Sequence, residues 1–220
     1  MKRLAAVALL AALATRPAGA QGFREYGGGP AGDFDFYVLA LTWSPGFCEL
    51  EGDRKRLAQC DPGQDLGFTV HGLWPQVGPG YPADCAPSNR PLPRAAQEEA
   101  RRLFPDEGLA RHEWRAHGAC TGKGPAEYFR DVRRARERVR IPERLQSLVR
   151  ETHMRPIDIE RAFADANPGL RPDMMAVVCR RGLLQEVRIC LEPDLRGFRR
   201  CPAVDRAGCR ISEIRIDAPR

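Results

Sequence analysis

The sequence predicts an α+β fold, a largely antiparallel central sheet packed by several helices and stapled by disulfides. Three observations carry this expectation. Strand-like and helix-like segments are mixed along the chain without the regular β-α-β alternation of a parallel sheet. Eight cysteines follow an N-terminal leader, and an even count in that setting implies disulfides made in an oxidising compartment. Removal of the leader leaves 200 residues, enough for one domain with its own core.

Lys2 and Arg3 open the chain, a short apolar run follows, and Ala18-Gly19-Ala20 offers the small residues a signal peptidase needs. Residues 1–20 are therefore expected to be a secretory signal, cleaved at about Ala20, with a membrane anchor as the alternative. The expected destination of a chain with such a signal is the periplasm or the medium, and no later apolar stretch is long enough to cross a bilayer. Residues 21–33 are rich in glycine and read as a flexible arm, leaving 34–220 as a single domain. Residues 34–43 are aromatic and branched, a strand ended by Ser44-Pro45-Gly46. Residues 67–71 form a second, short strand, stopped by Gly72 and Pro75. Residues 76–93 are dense in proline and read as a long irregular loop. Helices are expected over 94–104 and 109–120. Another starts at Pro125, which suits a first helical turn, and runs to about Arg140. Its Tyr128, Val132, Ala135 and Val139 share one face. Shorter helices cover 142–150 and 157–166, and strands cover 183–191 and 211–216.

Cysteine spacing favours Cys48 with Cys60 and Cys190 with Cys201 as short clips, with Cys179 and Cys209 enclosing the second. Cys85 and Cys120 then pair, tying the proline-rich loop to the end of the second helix. No Cys-x-x-Cys is present, which argues against a zinc ribbon or a redox motif. Loss of the leader drops the formal charge from +6 to +3, too mild to imply a polyanion partner by itself.

The chemistry concentrates in two places. His112-Glu113-Trp114-Arg115-Ala116-His117 puts two imidazoles and a carboxylate in one helical segment, and His71 stands alone after the second strand. Three of the four histidines of the chain lie there. Histidine both gives and takes protons near neutrality, so two of them with a carboxylate suffice for metal-free acid–base work. Glu113 and His117, four apart, share a helix face. Zinc hydrolysis is the rival reading, but a zincin helix spaces its histidines four apart. Here they are five apart, which turns them roughly 140° from each other. No Gly-x-Ser-x-Gly and no phosphate-cradling glycine loop occurs. A cysteine nucleophile would leave an odd cysteine. Two histidines without a metal suit phosphodiester transesterification in RNA, where the ribose 2′-hydroxyl is the nucleophile.

His71-Gly72-Leu73-Trp74-Pro75, and His112-Glu113-Trp114 through His117-Gly118-Ala119-Cys120, resemble the two active-site segments of the ribonuclease T(2) family. Leu41-Thr42-Trp43-Ser44-Pro45-Gly46-Phe47-Cys48 is similar to that family's opening strand. Glu186-Val187-Arg188-Ile189-Cys190-Leu191 resembles a late strand of its bacterial members. The resemblance implies a secreted, disulfide-bonded endoribonuclease that needs no metal or other cofactor. Its substrate would be single-stranded RNA, cut with little base preference through a 2′,3′-cyclic phosphate to a 3′-phosphate. DNA would be spared, and the enzyme would be a monomer free of the membrane. His117 would be the general base and His71 the general acid. His112 would hold the phosphate, and Glu113 would polarise or stabilise the phosphoryl group. Trp74 would stack a base, although plain packing is an equal alternative, and Tyr81 is a candidate for the same base pocket. Trp43 and Trp114 read as core and His153 as surface. One position departs from the family, Ala116 standing where a lysine is usual. That departure favours the second reading, a catalytically weakened RNA- or partner-binding module on the same fold.

Overall fold

The computed structural model describes residues 24–27, 30–78, 80–83, 85, 91–101 and 103–219. The expected leader, residues 1–20, lies outside them. The chain opens with strands β1 (Arg24–Gly27) and β2 (Phe36–Trp43) and the short helices α1 (Ser44–Phe47) and α2 (Asp53–Lys55). Strands β3 (Phe68–Gln76) and β4 (Gly80–Ala83) follow, then helices α3 (Arg94–Ala100), α4 (Glu107–Ala116), α5 (Pro125–Arg138) and α6 (Glu143–Gln146). Strand β5 (Thr152–Met154), helix α7 (Pro156–Ala166), strands β6 (Met175–Arg180) and β7 (Leu183–Leu191), helix α8 (Pro202–Arg206) and strand β8 (Ile214–Ile216) complete it.

The main sheet runs β3-β2-β7-β8-β5, and β6 also pairs with β7. Its ladders are antiparallel except for a single parallel pairing of Leu183 with Arg215. The α+β class is thus the one the mixed pattern implies. Strand β2 is buried along nearly its whole length because both of its faces are covered. Tyr37, Leu39, Leu41 and Trp43 point into the main core with Leu73, Phe129, Phe163, Val187 and Ile189. Phe36 and Val38 point the other way, into a small cluster with Ala176, Cys190, Cys201 and Val204, and Trp74 packs on it. Alternation along the strand makes this division. Full burial of a side chain such as Leu39 or Phe129 stabilises the fold by about 1.5–3 kcal/mol. Helix α5 closes the core with Tyr128, Phe129, Val132 and Ala135.

Several elements differ from the sequence expectations. Arg24–Gly27, expected within a flexible arm, pairs in parallel with Gly80–Ala83, which was expected to be irregular. Strand β3 runs through Gly72 and Pro75 instead of stopping at them. It lies at the edge of the sheet, where a missing proline N–H costs no ladder bond. Helix α4 starts earlier than expected, because the Asp106 carboxylate caps it by accepting from the Leu109 N–H at 2.9 Å. It also ends earlier, at Ala116, and Gly118–Thr121 continues as a 3-10 turn. Strands β5 and β6 were not anticipated. Met175–Arg180 is a short apolar run, which periodicity alone does not resolve into helix or strand. It becomes a strand because Arg181 and Gly182, both at positive φ, turn it directly back into β7.

Four disulfides join Cys48–Cys60, Cys85–Cys120, Cys179–Cys209 and Cys190–Cys201: the two short clips that spacing favours, the pair enclosing the second clip and the remaining pair. The Cys85–Cys120 bridge closes a separation of 35 residues and fixes the loop after β4 to the turn after α4.

Candidate active site

The site begins with an irregularity in β3. Ala40 pairs with Gly72 and Leu41 pairs with Val70, so His71 is an extra residue with no partner on β2. Val70 and Leu73 are three apart, a spacing that a regular strand would place on opposite faces. The bulge lets both enter the main core. It leaves His71 on the other face, together with Trp74. Gly72 is required at the next position. A Cβ there would overlap the Glu113 Oε2 and the Trp74 Nε1, so the helix carboxylate lies directly on the strand backbone.

Helix α4 delivers Glu113 to that contact point. Glu113 is only 1% exposed. Trp74 Nε1 donates to its Oε2 at 2.8 Å, and its Oε1 lies 3.7 Å from His71 Nε2. Burial pushes the Glu113 carboxyl up to about 7. The His71 charge and the Trp74 hydrogen bond oppose that rise, and the Glu186 charge adds to it. Four residues on, the His117 N–H donates to the Glu113 carbonyl at 3.0 Å and closes the helix. Gly118 then packs against Trp114 and Tyr128 without room for a side chain. The Tyr128 hydroxyl donates to the Leu73 carbonyl at 3.1 Å, so this turn is anchored to β3.

The two inner histidines sit in opposite electrostatic surroundings. The His117 Nδ1 is buried with no hydrogen-bond partner among the described residues. Burial, then the charges of His112 and His71, push its imidazole down to about 3, so it is neutral at pH 7. His71 is about a third exposed, with 34% of its side-chain surface open. Burial works against its charge too. The hydrogen bond and charge of Glu186, and then the charge of Glu113, outweigh burial and the repulsion of Arg188, so its pKa is raised. Its Nδ1 is 2.5 Å from Glu186 Oε1. Glu186 is held below the usual carboxylate range. Burial would raise it, but His71 and Arg188 prevail. Arg188 Nε and Nη2 both reach Glu186 Oε2 at 2.9 Å, and its guanidinium lies 5.1 Å from the Trp74 ring centre.

The structure therefore brings His71, Glu113 and His117 together around Trp74. The Trp74 ring centre is 5.2 Å from that of His71 and 5.4 Å from that of His117. The Tyr81 ring centre is 6.4 Å from that of His117. A cleft of about 240 Å³ opens beside them, lined by Val38, Trp74, Gln76, Tyr81, His117, Arg188 and Val204. His112 is exposed on α4 and does not line the cleft, but it acts electrostatically on His117. Trp43 and Trp114 are in the main core and His153 is exposed, as read from the sequence. Among the described residues, the imidazoles and carboxylates of the cleft do not gather three ligand atoms at metal-binding distance.

Two members of the site escaped the sequence reading. Glu186 and Arg188 lie in a run that resembles a family strand, yet no role attaches to them from that likeness. Their signal is an i, i+2 pair of opposite charges in a largely apolar strand, which puts both on one face of a buried sheet. Such a pair needs a buried partner. Which partner is a question of sheet order, and the sequence does not show it.

A family model described as the Ribonuclease T2 family matches residues 34–201. A ribonuclease of Aeromonas hydrophila is 34% identical over 169 residues, covering 76% of this chain and 75% of that protein. An RNase-related protein from Calystegia sepium superposes with a TM-score of 0.63 at 22% identity, over 84% of this chain and 97% of its own. RNase NT, solved in complex with 5′-AMP, does so with a TM-score of 0.64 at 22% identity, over 85% and 98%.

Proposed function

The chain belongs to the ribonuclease T2 family and is an endoribonuclease, and we propose that it is exported and cuts single-stranded RNA without a metal, with little base preference. One observation supports this most. Two histidines flank Trp74 in opposite surroundings: burial pushes His117 down to about 3, whereas Glu186 and Glu113 outweigh burial and raise His71. An acid and a base whose environments push them apart are what a two-proton reaction needs.

In the proposed reaction His117 takes the proton of the ribose 2′-hydroxyl. The 2′-oxygen bonds to phosphorus as the bond to the 5′-oxygen breaks, and His71 Nε2 protonates that leaving oxygen. A 2′,3′-cyclic phosphate and a 5′-hydroxyl strand result. Water then opens the ring with the two roles exchanged, giving a 3′-phosphate. Glu113, its carboxyl pushed up to about 7, would stabilise the phosphoryl oxygens, and exposed His112 would meet the incoming phosphate. Trp74, Tyr81 and the cleft between them take a base. DNA is spared because it lacks the attacking hydroxyl. Function as a monomer, and export directed by the first twenty residues, belong to the same proposal.

Purified protein incubated with homopolymer RNAs and with DNA, with and without EDTA, tests this. RNA is expected to be cut equally in EDTA and DNA to survive. His71→Ala and His117→Ala are each expected to lower the rate by roughly 10²–10⁴. Cleavage abolished by EDTA would sink the metal-free reaction. The rival, a binding module, draws on Ala116 and predicts RNA binding with no turnover.

A further inference from the structure

We propose that Glu186 is a positioning residue for the general acid: it accepts the Nδ1 proton of His71, so that Nε2 carries the transferable proton toward the scissile phosphate. This rests on the ribonuclease reading above and assigns a role to a strand that reading leaves silent.

Three observations converge on it. First, the carboxylate is fixed at both oxygens. Oε1 lies 2.5 Å from His71 Nδ1, and Oε2 accepts a hydrogen bond from Arg188 Nε at 2.9 Å, with Nη2 of the same guanidinium in ion-pair contact at 2.9 Å. Glu186 is 3% exposed, so water does not compete for it. Second, the sheet is built to let the two meet. Strands β3 and β7 flank β2, so about 9–10 Å of sheet separates their backbones. On β2 the residues that pair with Arg188 and Glu186 are Ala40 and Thr42, both small. The bulge turns His71 over them. Third, the other face of the imidazole is left for chemistry. Its Nε2 is 3.7 Å from Glu113 Oε1, a loose contact that a phosphate's leaving oxygen can replace. The charged or titratable groups around His71 are Glu186 and Arg188 from β7, Glu113 from α4 and His117 after it.

As the bond from phosphorus to the 5′-oxygen breaks, the Nε2 proton moves to that oxygen. The ring is left neutral, in the tautomer that keeps Nδ1–H on Glu186. In the second step Nε2 is then the free base that activates water. A histidine in the other tautomer would offer its lone pair to a carboxylate and could not return.

Glu186→Gln keeps an acceptor for Nδ1–H and removes the charge. Turnover of a dinucleoside phosphate is expected to fall roughly 10²-fold, with KM changed by no more than about twofold. The alkaline limb of kcat is expected to move to lower pH, because the imidazolium loses its counter-charge. Glu186→Asp is expected to restore part of kcat. A merely structural role, holding Arg188, would lower the melting temperature but leave the alkaline limb in place, and that outcome overturns the proposal. Nitrogen-15 NMR of His71 in the unmodified protein gives a second reading that needs no variant. Above its pKa the neutral ring is expected to carry its proton on Nδ1, and a proton on Nε2 instead overturns the proposal. That measurement holds whether or not the protein cuts RNA. Failure of the ribonuclease reading shows separately, as absent cleavage by the unmodified protein.

Discussion

Glu113 shows how much a single side chain's meaning depends on its surroundings. Its carboxyl is buried against a glycine backbone and titrates near 7, so the folded protein favours its protonated form between its ordinary value of 4.5 and about 7. The folded pKa is raised, so the native state binds the extra proton and loses stability as pH climbs through that window. Glu113→Gln should therefore gain stability relative to the unmodified protein on going from pH 5 to pH 8. The gain is about 3 kcal/mol at most, from the size of the shift. Urea denaturation at the two pH values measures it, and an equal difference at both would show that the carboxylate is already ionised at pH 5. Ala116 is the other residue-scale question. It sits one turn after His112, where the family resemblance leads one to expect a lysine. Ala116→Lys is expected to raise kcat, by up to roughly 10²–10³ if the ammonium acts as a full preorganised donor. Unchanged turnover would mean that no donor is missing, and Arg188, already on the cleft, is the cation to remove next.

At the scale of elements, the site is a junction between one bulged strand and one capped helix. His71, Glu113 and His117 were named from the sequence because histidine and glutamate in those patterns carry recognisable chemistry. The bulge that aims His71 was not legible, since it is a property of register between β2 and β3 and not of either run alone. The same is true of Glu186 and Arg188, which meet His71 across an intervening strand. Gly72 is where the two elements touch. Gly72→Ala is expected to displace the Glu113 carboxylate, lowering kcat by roughly 10²-fold and destabilising the fold by about 1–3 kcal/mol. Steady-state kinetics and thermal melting read both effects. A variant as active as the unmodified enzyme would show that the strand–helix contact tolerates a methyl group.

For the whole molecule, four disulfides supplement a core divided by the sheet into one large and one small cluster. The small cluster contains Cys190 and Cys201 and supports Trp74, so the bridges hold the cleft wall as well as the termini of elements. Reduction under native conditions is expected to lower the unfolding free energy by about 2–4 kcal/mol for each bridge that opens. Activity should fall in parallel with it. Full activity after complete reduction would show that packing alone maintains the cleft. Composition, the patterning of apolar residues and the spacing of cysteines and histidines were enough to determine the class of fold, the two short disulfide clips and which side chains are candidates for the chemistry, because these depend on residue type and local periodicity. Strand order, the offset between neighbouring strands and the depth at which each charge is buried were decided only by the folded chain. Those quantities come from contacts between residues far apart in sequence, and they are what raises the pKa of one imidazole and lowers that of another.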